Sequence, residues 1–197
     1  DEDASVRAAA THALTELGAK SEFREIVLGL DDLDDSVREM TLASFLKLEI
    51  ASSPELIRTL EHLLKDSNVR IRARAAVVLI YLGEPRLANS FLSRLIQSKI
   101  PDKRAIAVDA FREIASNAKN GLPFKFDLVL RAMSDPNPIV RRGAVRVAVY
   151  LKDDAVYKMV ASHLADNDAG VRRAASESLK QVWPASRGVV LQALTEM

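Results

Sequence analysis

Hydrophobic residues recur along this chain with the spacing of an amphipathic helix, and this helical pattern itself repeats about every thirty residues. Each repeat centres on an arginine that follows an Asp-rich turn, and successive arginines are 31, 32, 34, 37 and 31 residues apart. Mostly apolar or small residues precede each arginine and follow it at three, seven and ten positions, which places them on one helix face. The arginines are Arg7, Arg38, Arg70, Arg104, Arg141 and Arg172.

Each repeat contains a second, shorter amphipathic stretch, so the pattern predicts two helices per unit. We call the helices that begin at the arginine motifs B helices and the others A helices. No segment alternates with period two for long enough to predict a strand. All seven prolines, Pro184 included, fall at predicted helix boundaries, as do Gly18 and Gly83. The predicted A helices cover residues 22–30, 54–65, 85–97, 126–133, 154–164 and 184–195.

These elements predict an all-α fold, an α-α superhelix in which about six two-helix units stack as a solenoid. We expect one continuous array over residues 1–197. The first residues already have the pattern of a turn and a B helix, and the chain lacks an initiator Met, so we expect a fragment of a longer protein. The predicted units are roughly 1–20, 21–52, 53–83, 84–120, 121–152 and 153–183, with a partial unit over 184–197.

The motif Leu-x-Asp-x-Asp/Asn-x-x-Val-Arg-x-x-Ala resembles the HEAT repeat in its short form, which also occurs in phycobilisome lyases. Residues 133–144 and 164–175 match it best, and the fourth unit matches least well because Lys103 precedes Arg104. The resemblance implies that the motif's acidic and arginine side chains form ladders between neighbouring turns. Repetition in every unit also favours a scaffold role over catalysis. The predicted ladder residues are Asp34, Arg38, Asp66, Arg70, Arg141, Asp168 and Arg172.

Charge and composition limit which functions the chain could have. The net charge is +1, there is no cysteine, and no two of the three histidines have the i, i+4 spacing of a helical metal site. We therefore predict no catalytic residue, no metal and no cofactor, and the protein is not expected to be an enzyme. Without disulfides a reducing compartment fits, and we expect the cytoplasm. No apolar run approaches the ~20 residues of a membrane-spanning helix.

The resemblance also implies that B helices line the concave surface of the array, where a ligand would lie. We expect positions one, five and eight after the motif arginine to face it. These positions are apolar in the second and third units, which predicts either a partner's helix or peptide, or burial inside the array. In the last three units they are mainly basic, which predicts an acidic peptide, a phosphate backbone or a solvated mixed-charge face. The candidates are Leu46, Ile71, Val78, Arg112, Arg142, Arg146, Arg173 and Lys180.

The leading functional hypothesis is a non-enzymatic scaffold that binds a protein or peptide partner along the B-helix groove, with other domains of the parent chain as further partners. One alternative is nucleic-acid binding, as in HEAT-like DNA glycosylases. Near-neutral charge and a single tryptophan, Trp183, oppose it. The other alternative is a phycobilin lyase or its chaperone subunit, which the repeat form suggests, but no chromophore-handling residue is identified.

Overall fold

The protein is helical throughout the part of the chain that the computed structural model describes, which is residues 2–18, 23–48, 51–118 and 126–195. No strand occurs in these ranges, and the all-α prediction is confirmed. Short 3₁₀ turns prolong three helices, over Gly29–Asp31, Val149–Leu151 and His163–Ala165. The helices in chain order are α1 (Ala4–Glu16), α2 (Phe23–Leu28), α3 (Asp35–Leu48), α4 (Pro54–Leu63), α5 (Val69–Tyr81), α6 (Pro85–Leu95), α7 (Pro101–Asn117), α8 (Phe126–Met133), α9 (Pro138–Ala148), α10 (Asp154–Ser162) and α11 (Ala169–Thr195).

The odd-numbered helices are the predicted B helices and the even-numbered ones are the A helices. Most of these helices begin directly after a polar residue whose side chain accepts a hydrogen bond from a free backbone N–H of the first turn. This hydrogen bond stabilises the start of the helix. Gly18 and Gly83 follow the ends of α1 and α5 with φ of 64° and 88°, a conformation that glycine adopts without strain. The capping residues are Asp3, Asp34, Ser53, Asn68, Asn137, Asp153 and Asp168, whereas α7 begins at Pro101 without a side-chain cap.

The prediction of a separate helix beginning at Pro184 was wrong, because α11 continues without a break from Ala169 to Thr195. Proline has a φ that suits a helix and removes a single backbone donor, so it weakens this helix without ending it. The described side chains of α11 beyond Val182 are exposed. None of these described side chains makes a buried contact that would favour a helix end at Pro184.

The chain divides into two compact units, Asp1–Leu92 and Ser93–Met197. In the first unit α1 packs on α3 and α3 packs on α5, while α4 covers α5. In the second unit α7 packs on α9 and α9 packs on α11, while α8 covers α9 and α10 covers α11. Each unit therefore consists of B helices stacked side by side with A helices against them.

The core of each unit consists of the positions that the repeat pattern assigns to the interior. On α3, Val37 and Phe45 are buried one residue before and seven residues after Arg38. On α7, Phe111 is buried at the same seven-residue distance from Arg104. The burial of apolar side chains at these spacings is what holds neighbouring B helices together.

The helices α7 and α9 lie very close to each other at Gly143. A Cβ atom added to Gly143 would lie 2.7 Å from Cγ1 of Val108, a side chain that is itself buried. No carbon fits at that distance without displacing the neighbouring helix. Gly143 therefore permits the tight packing of these two B helices.

Replacing Gly143 with alanine should destabilise the protein by about 1–3 kcal/mol, because the new methyl group overpacks the contact with Val108. The matched control is Gly188→Ala on α11, where the added Cβ meets no atom within 4 Å. That variant should gain up to about 1 kcal/mol from the higher helix propensity of alanine. Urea unfolding followed by circular dichroism measures both, and equal stabilisation of both variants would contradict the close packing of α7 on α9.

Candidate partner-binding face

The guanidinium group of Arg141 joins two successive turns of the second unit. Its Nε and Nη2 atoms donate to the two carboxylate oxygens of Asp166 at 2.9 and 2.8 Å. Its Nη1 atom donates to the carbonyl oxygen of Asp135, in the turn that precedes its own helix, at 2.9 Å. The arginine is thus held by its own turn while it binds the carboxylate of the next turn. A bidentate pair of this kind is short and geometrically specific.

The same arrangement recurs at three other arginines. Arg104 holds Asp135 at 2.7 and 2.8 Å, and Arg7 holds Asp32 at the same two distances. Arg38 holds Asp66 through Nε at 2.9 Å, and Arg38 also donates to Asp35. The four ladder carboxylates also accept a hydrogen bond from the backbone N–H two residues later, which fixes the turn. These carboxylates are Asp32, Asp66, Asp135 and Asp166. The ladder residues are therefore paired through both charge and backbone.

Asp34 and Asp168 were assigned to the ladder on the sequence, and the structure corrects this. Their carboxylates cap the following helices instead, since Asp34 accepts from the backbone N–H of Ser36 at 2.8 Å and Asp168 from that of Val171 at 2.9 Å. The ladder carboxylates lie two residues earlier, at Asp32 and Asp166. A capping carboxylate is committed to the free N–H groups and the dipole of its own helix, so it does not reach the neighbouring turn.

In the third two-helix repeat, the arginine that takes the ladder position is Arg72, and this corrects the assignment of Arg70. Arg72 is half-buried and donates to the carbonyl oxygens of Asp66 and Ser67, the latter at 3.0 Å, whereas Arg70 is exposed. A constant separation in the sequence could have identified Arg72 as the ladder arginine. The ladder carboxylate stands six residues before the arginine of its own unit at Asp32, Asp66, Asp135 and Asp166.

This shift of two residues also changes the predicted apolar strip. Ile71 directly precedes the true ladder arginine and takes the core position of the motif, and it is 0% exposed. Val78 is 1% exposed on the same helix. Of the two alternatives given for this strip, a partner site is therefore wrong for Ile71 and Val78, and burial inside the array is what the structure has. Leu46 on α3 is half-buried and keeps part of its surface accessible.

The basic candidates lie on α7, α9 and α11, which pack side by side in the second unit. Arg112, Arg146, Arg173 and Lys180 are exposed, and Arg142 is half-buried. We call these five side chains the basic face. Arg146 forms a salt bridge with Glu177 on the neighbouring B helix at 3.3 Å. In the part of the chain that the structure describes, no ion pair is recorded for the other four.

The small net charge of the chain conceals two oppositely charged units. Residues 1–92 contain eleven Lys or Arg and sixteen Asp or Glu, whereas residues 93–197 contain seventeen and eleven. The basic face therefore belongs to a unit that is itself positively charged. The field of such a unit adds to the attraction of an acidic ligand.

Three of the ladder carboxylates, Asp32, Asp135 and Asp166, have pKa values below the ordinary value of aspartate. The hydrogen bond from Arg7 lowers the pKa of Asp32 to about 2, and the hydrogen bond from Arg141 lowers the pKa of Asp166 to about 2. At Asp135, desolvation raises the pKa, but Arg104 and the backbone N–H of Asn137 outweigh it and the net shift is downward. These groups are ionised at every physiological pH, as a structural ion pair requires.

The described ranges contain neither a candidate metal site nor a candidate membrane-spanning helix. No group of three or more His, Asp or Glu side chains there is arranged to hold a metal ion. Across the same ranges, every helix is too short or too polar to cross a bilayer.

Comparison with known proteins agrees with the fold. Residues 126–197 match the family of HEAT repeats, in agreement with the resemblance that the motif carries. A designed armadillo repeat protein in complex with the peptide (KR)4 is 17% identical, with a TM-score of 0.50 over 86% of this chain and 84% of that one. That likeness confirms the helical-repeat fold.

Two further solved structures are similar. An engineered protein is 14% identical, with a TM-score of 0.49 and 93% of each chain covered. Another designed armadillo repeat protein is 15% identical, with a TM-score of 0.46 over 91% of this chain and 94% of that one. A search of curated protein sequences finds no match.

Replacing Arg72 with alanine should lower the free energy of unfolding by about 1–2 kcal/mol, because its half-buried hydrogen bonds to the turn are lost. The control is Arg70→Ala on the same helix, which should change stability by no more than about 0.5 kcal/mol because its side chain is exposed. Chemical denaturation measures both. A larger loss at Arg70 would restore the original assignment.

Because the pKa of Asp166 is lowered in the folded protein, the free energy of unfolding should depend on pH in the acidic range. Its pair with Arg141 contributes fully above about pH 4, where the unfolded carboxyl group is ionised, and is lost as the pH falls towards 2. Asp166→Asn should therefore cost roughly 1–2 kcal/mol at pH 7 and flatten the stability profile between pH 4 and 2. Urea titrations at several pH values test this. Asp168→Asn should keep the neutral-pH stability, because asparagine is an equally good cap.

Proposed function

We propose that the chain is a non-enzymatic protein-interaction scaffold whose basic face holds an acidic segment of a partner protein. The observation that carries the proposal is the cluster of exposed cations on three adjacent B helices of one unit. Among the arginines that repeat along the chain, Arg7, Arg38, Arg104 and Arg141 form the ion pairs of the ladder and are committed to structure. The side chains of the basic face lie at positions that carry other residue types in other repeats, as residues that confer specificity would.

The partner's acidic character follows from the charges. Only Arg146 of the basic face forms a recorded ion pair in the described residues, so the face carries a positive excess that acidic side chains would neutralise. Exposed charge pairs are individually weak, about 0–1 kcal/mol each, so several must act together. An extended segment with several carboxylates satisfies this requirement. Its charges would also accelerate association at low salt.

The designed armadillo protein supports the mode of binding, because a helical-repeat protein of similar fold is in complex with an eight-residue peptide, (KR)4. That peptide is basic, whereas the face described above is basic itself. We therefore expect the opposite preference here, for acidic peptides. Leu46 belongs to the other compact unit, and it is proposed as an apolar contact of that unit alone.

The proposal predicts that the chain binds a fluorescein-labelled (Asp-Glu)4 peptide and not (Lys-Arg)4 of equal length. Arg112→Glu combined with Arg173→Glu should weaken binding about tenfold or more, because two attractive contacts become repulsive. The control combines Arg94→Glu with Lys99→Glu, exposed residues of the same unit outside the basic face, and should change affinity less than about twofold. Fluorescence anisotropy at low salt, where exposed charges are least screened, measures all three proteins.

Equal losses in both double variants would show that net charge alone drives binding, and the proposed face would be wrong. A short DNA duplex serves as the competing ligand. Tighter binding of the duplex than of the acidic peptide, with a steep dependence on salt concentration, would replace the proposal with nucleic-acid binding.

A further inference from the structure

The ladder arginines of the second unit share one side-chain position. In each, Nη1 donates to two carbonyl oxygens of the turn that precedes its own helix. The distances are 2.9 and 3.2 Å at Arg104, 2.9 and 3.1 Å at Arg141, and 2.7 and 3.0 Å at Arg172. The three guanidinium groups are therefore anchored by their own turns in the same way.

They differ in what the other edge of the guanidinium group binds. At Arg104 and Arg141 the Nε and Nη2 atoms hold both oxygens of an aspartate at 2.7–2.9 Å. At Arg172 no carboxylate is recorded on these two atoms within the described part of the chain. Its side chain is exposed, whereas Arg104 and Arg141 are half-buried.

We infer that the Nε/Nη2 edge of Arg172 is a carboxylate-binding site that receives an aspartate or glutamate side chain of the acidic partner. The inference rests on the proposed function and extends it, because Arg172 directly precedes Arg173 of the basic face. The ligand class comes from the chain itself. The equivalent edges of Arg7, Arg38, Arg104 and Arg141 bind aspartate carboxylates. Arg72 is anchored by its own turn and also has no recorded carboxylate, but its side chain is half-buried, whereas that of Arg172 is exposed.

Anchoring is what distinguishes Arg172 from an ordinary surface arginine. A free arginine loses side-chain entropy when it is fixed by a ligand, and this loss cancels much of the gain from a surface ion pair. At Arg172 the two carbonyl contacts already restrict the side chain, so less entropy is lost on binding. The planar donor edge also matches the spacing of the two oxygens of a carboxylate.

The test replaces Arg172 with lysine, which keeps the charge and removes the bidentate edge. With the (Asp-Glu)4 peptide, Arg172→Lys should weaken binding about three- to tenfold. The matched control is Arg173→Lys, the adjacent exposed arginine with no recorded hydrogen bond, which should lose less than about twofold. Because each variant retains the charge, a loss confined to Arg172→Lys reports the geometry of the guanidinium group.

A second measurement observes the site directly. The NMR resonance of the Arg172 Nε–Hε group should shift when the unlabelled peptide is added to the wild-type protein, while those of Arg104 and Arg141 should stay in place. Equal affinities of the two lysine variants, or an unchanged Arg172 resonance on peptide binding, would overturn the inference.

The two proposals fail in different ways. If Arg112→Glu with Arg173→Glu abolishes binding but Arg172→Lys does not weaken it, the basic face stands and the Arg172 site is wrong. If Arg172→Lys weakens binding while the double variant has no effect, the Arg172 site stands and the basic face is wrong. Absence of any binding by the wild-type protein would overturn both.

Discussion

A bidentate ion pair between successive turns fixes how the apolar faces of neighbouring B helices are aligned when they stack. In each pair, an arginine held by the carbonyl oxygens of its own turn binds a carboxylate whose position is fixed by a backbone N–H of the next turn. Desolvating an ion pair is expensive unless its remaining donors and acceptors are satisfied. Here the backbone of both turns satisfies them. The pair therefore sets the register between neighbouring B helices, which apolar burial alone would specify less sharply.

The ladder also separates structural residues from those available for recognition. Side chains that repeat at the same position in every unit, such as Arg104 and Arg141, are engaged with backbone and carboxylate and cannot readily bind a partner. Side chains that vary between units, such as Arg112 and Arg146, project from the same helices into solvent. A repeat array can therefore change what it binds without changing how it stacks. Arg172 combines the two roles, since it keeps the structural anchoring but exposes its binding edge.

Helix existence was predictable from the sequence and helix ends were less so. The paired helices of α8–α9 and α10–α11 follow the predicted apolar spacing, and the capping residues mark where they begin. The end of α11 did not follow the prediction, because Pro184 was interpreted as a boundary. An internal proline removes one backbone hydrogen bond and its ring crowds the carbonyl group four residues earlier, yet it does not always end a helix. The described side chains beyond it are exposed.

The sequence by itself determined the repeat, the two-helix unit and most of the core, because burial at 3.6-residue spacing is a local property of each helix. It did not determine which acidic residue pairs with which arginine. Val69-Arg70 and Ile71-Arg72 both fit the motif locally, and each turn offers two polar residues, six and four positions before the ladder arginine. The choice was made by tertiary structure, since only the aspartate six positions before that arginine lies within hydrogen-bonding distance of the neighbouring guanidinium group. The Asp or Asn two residues later caps its own helix.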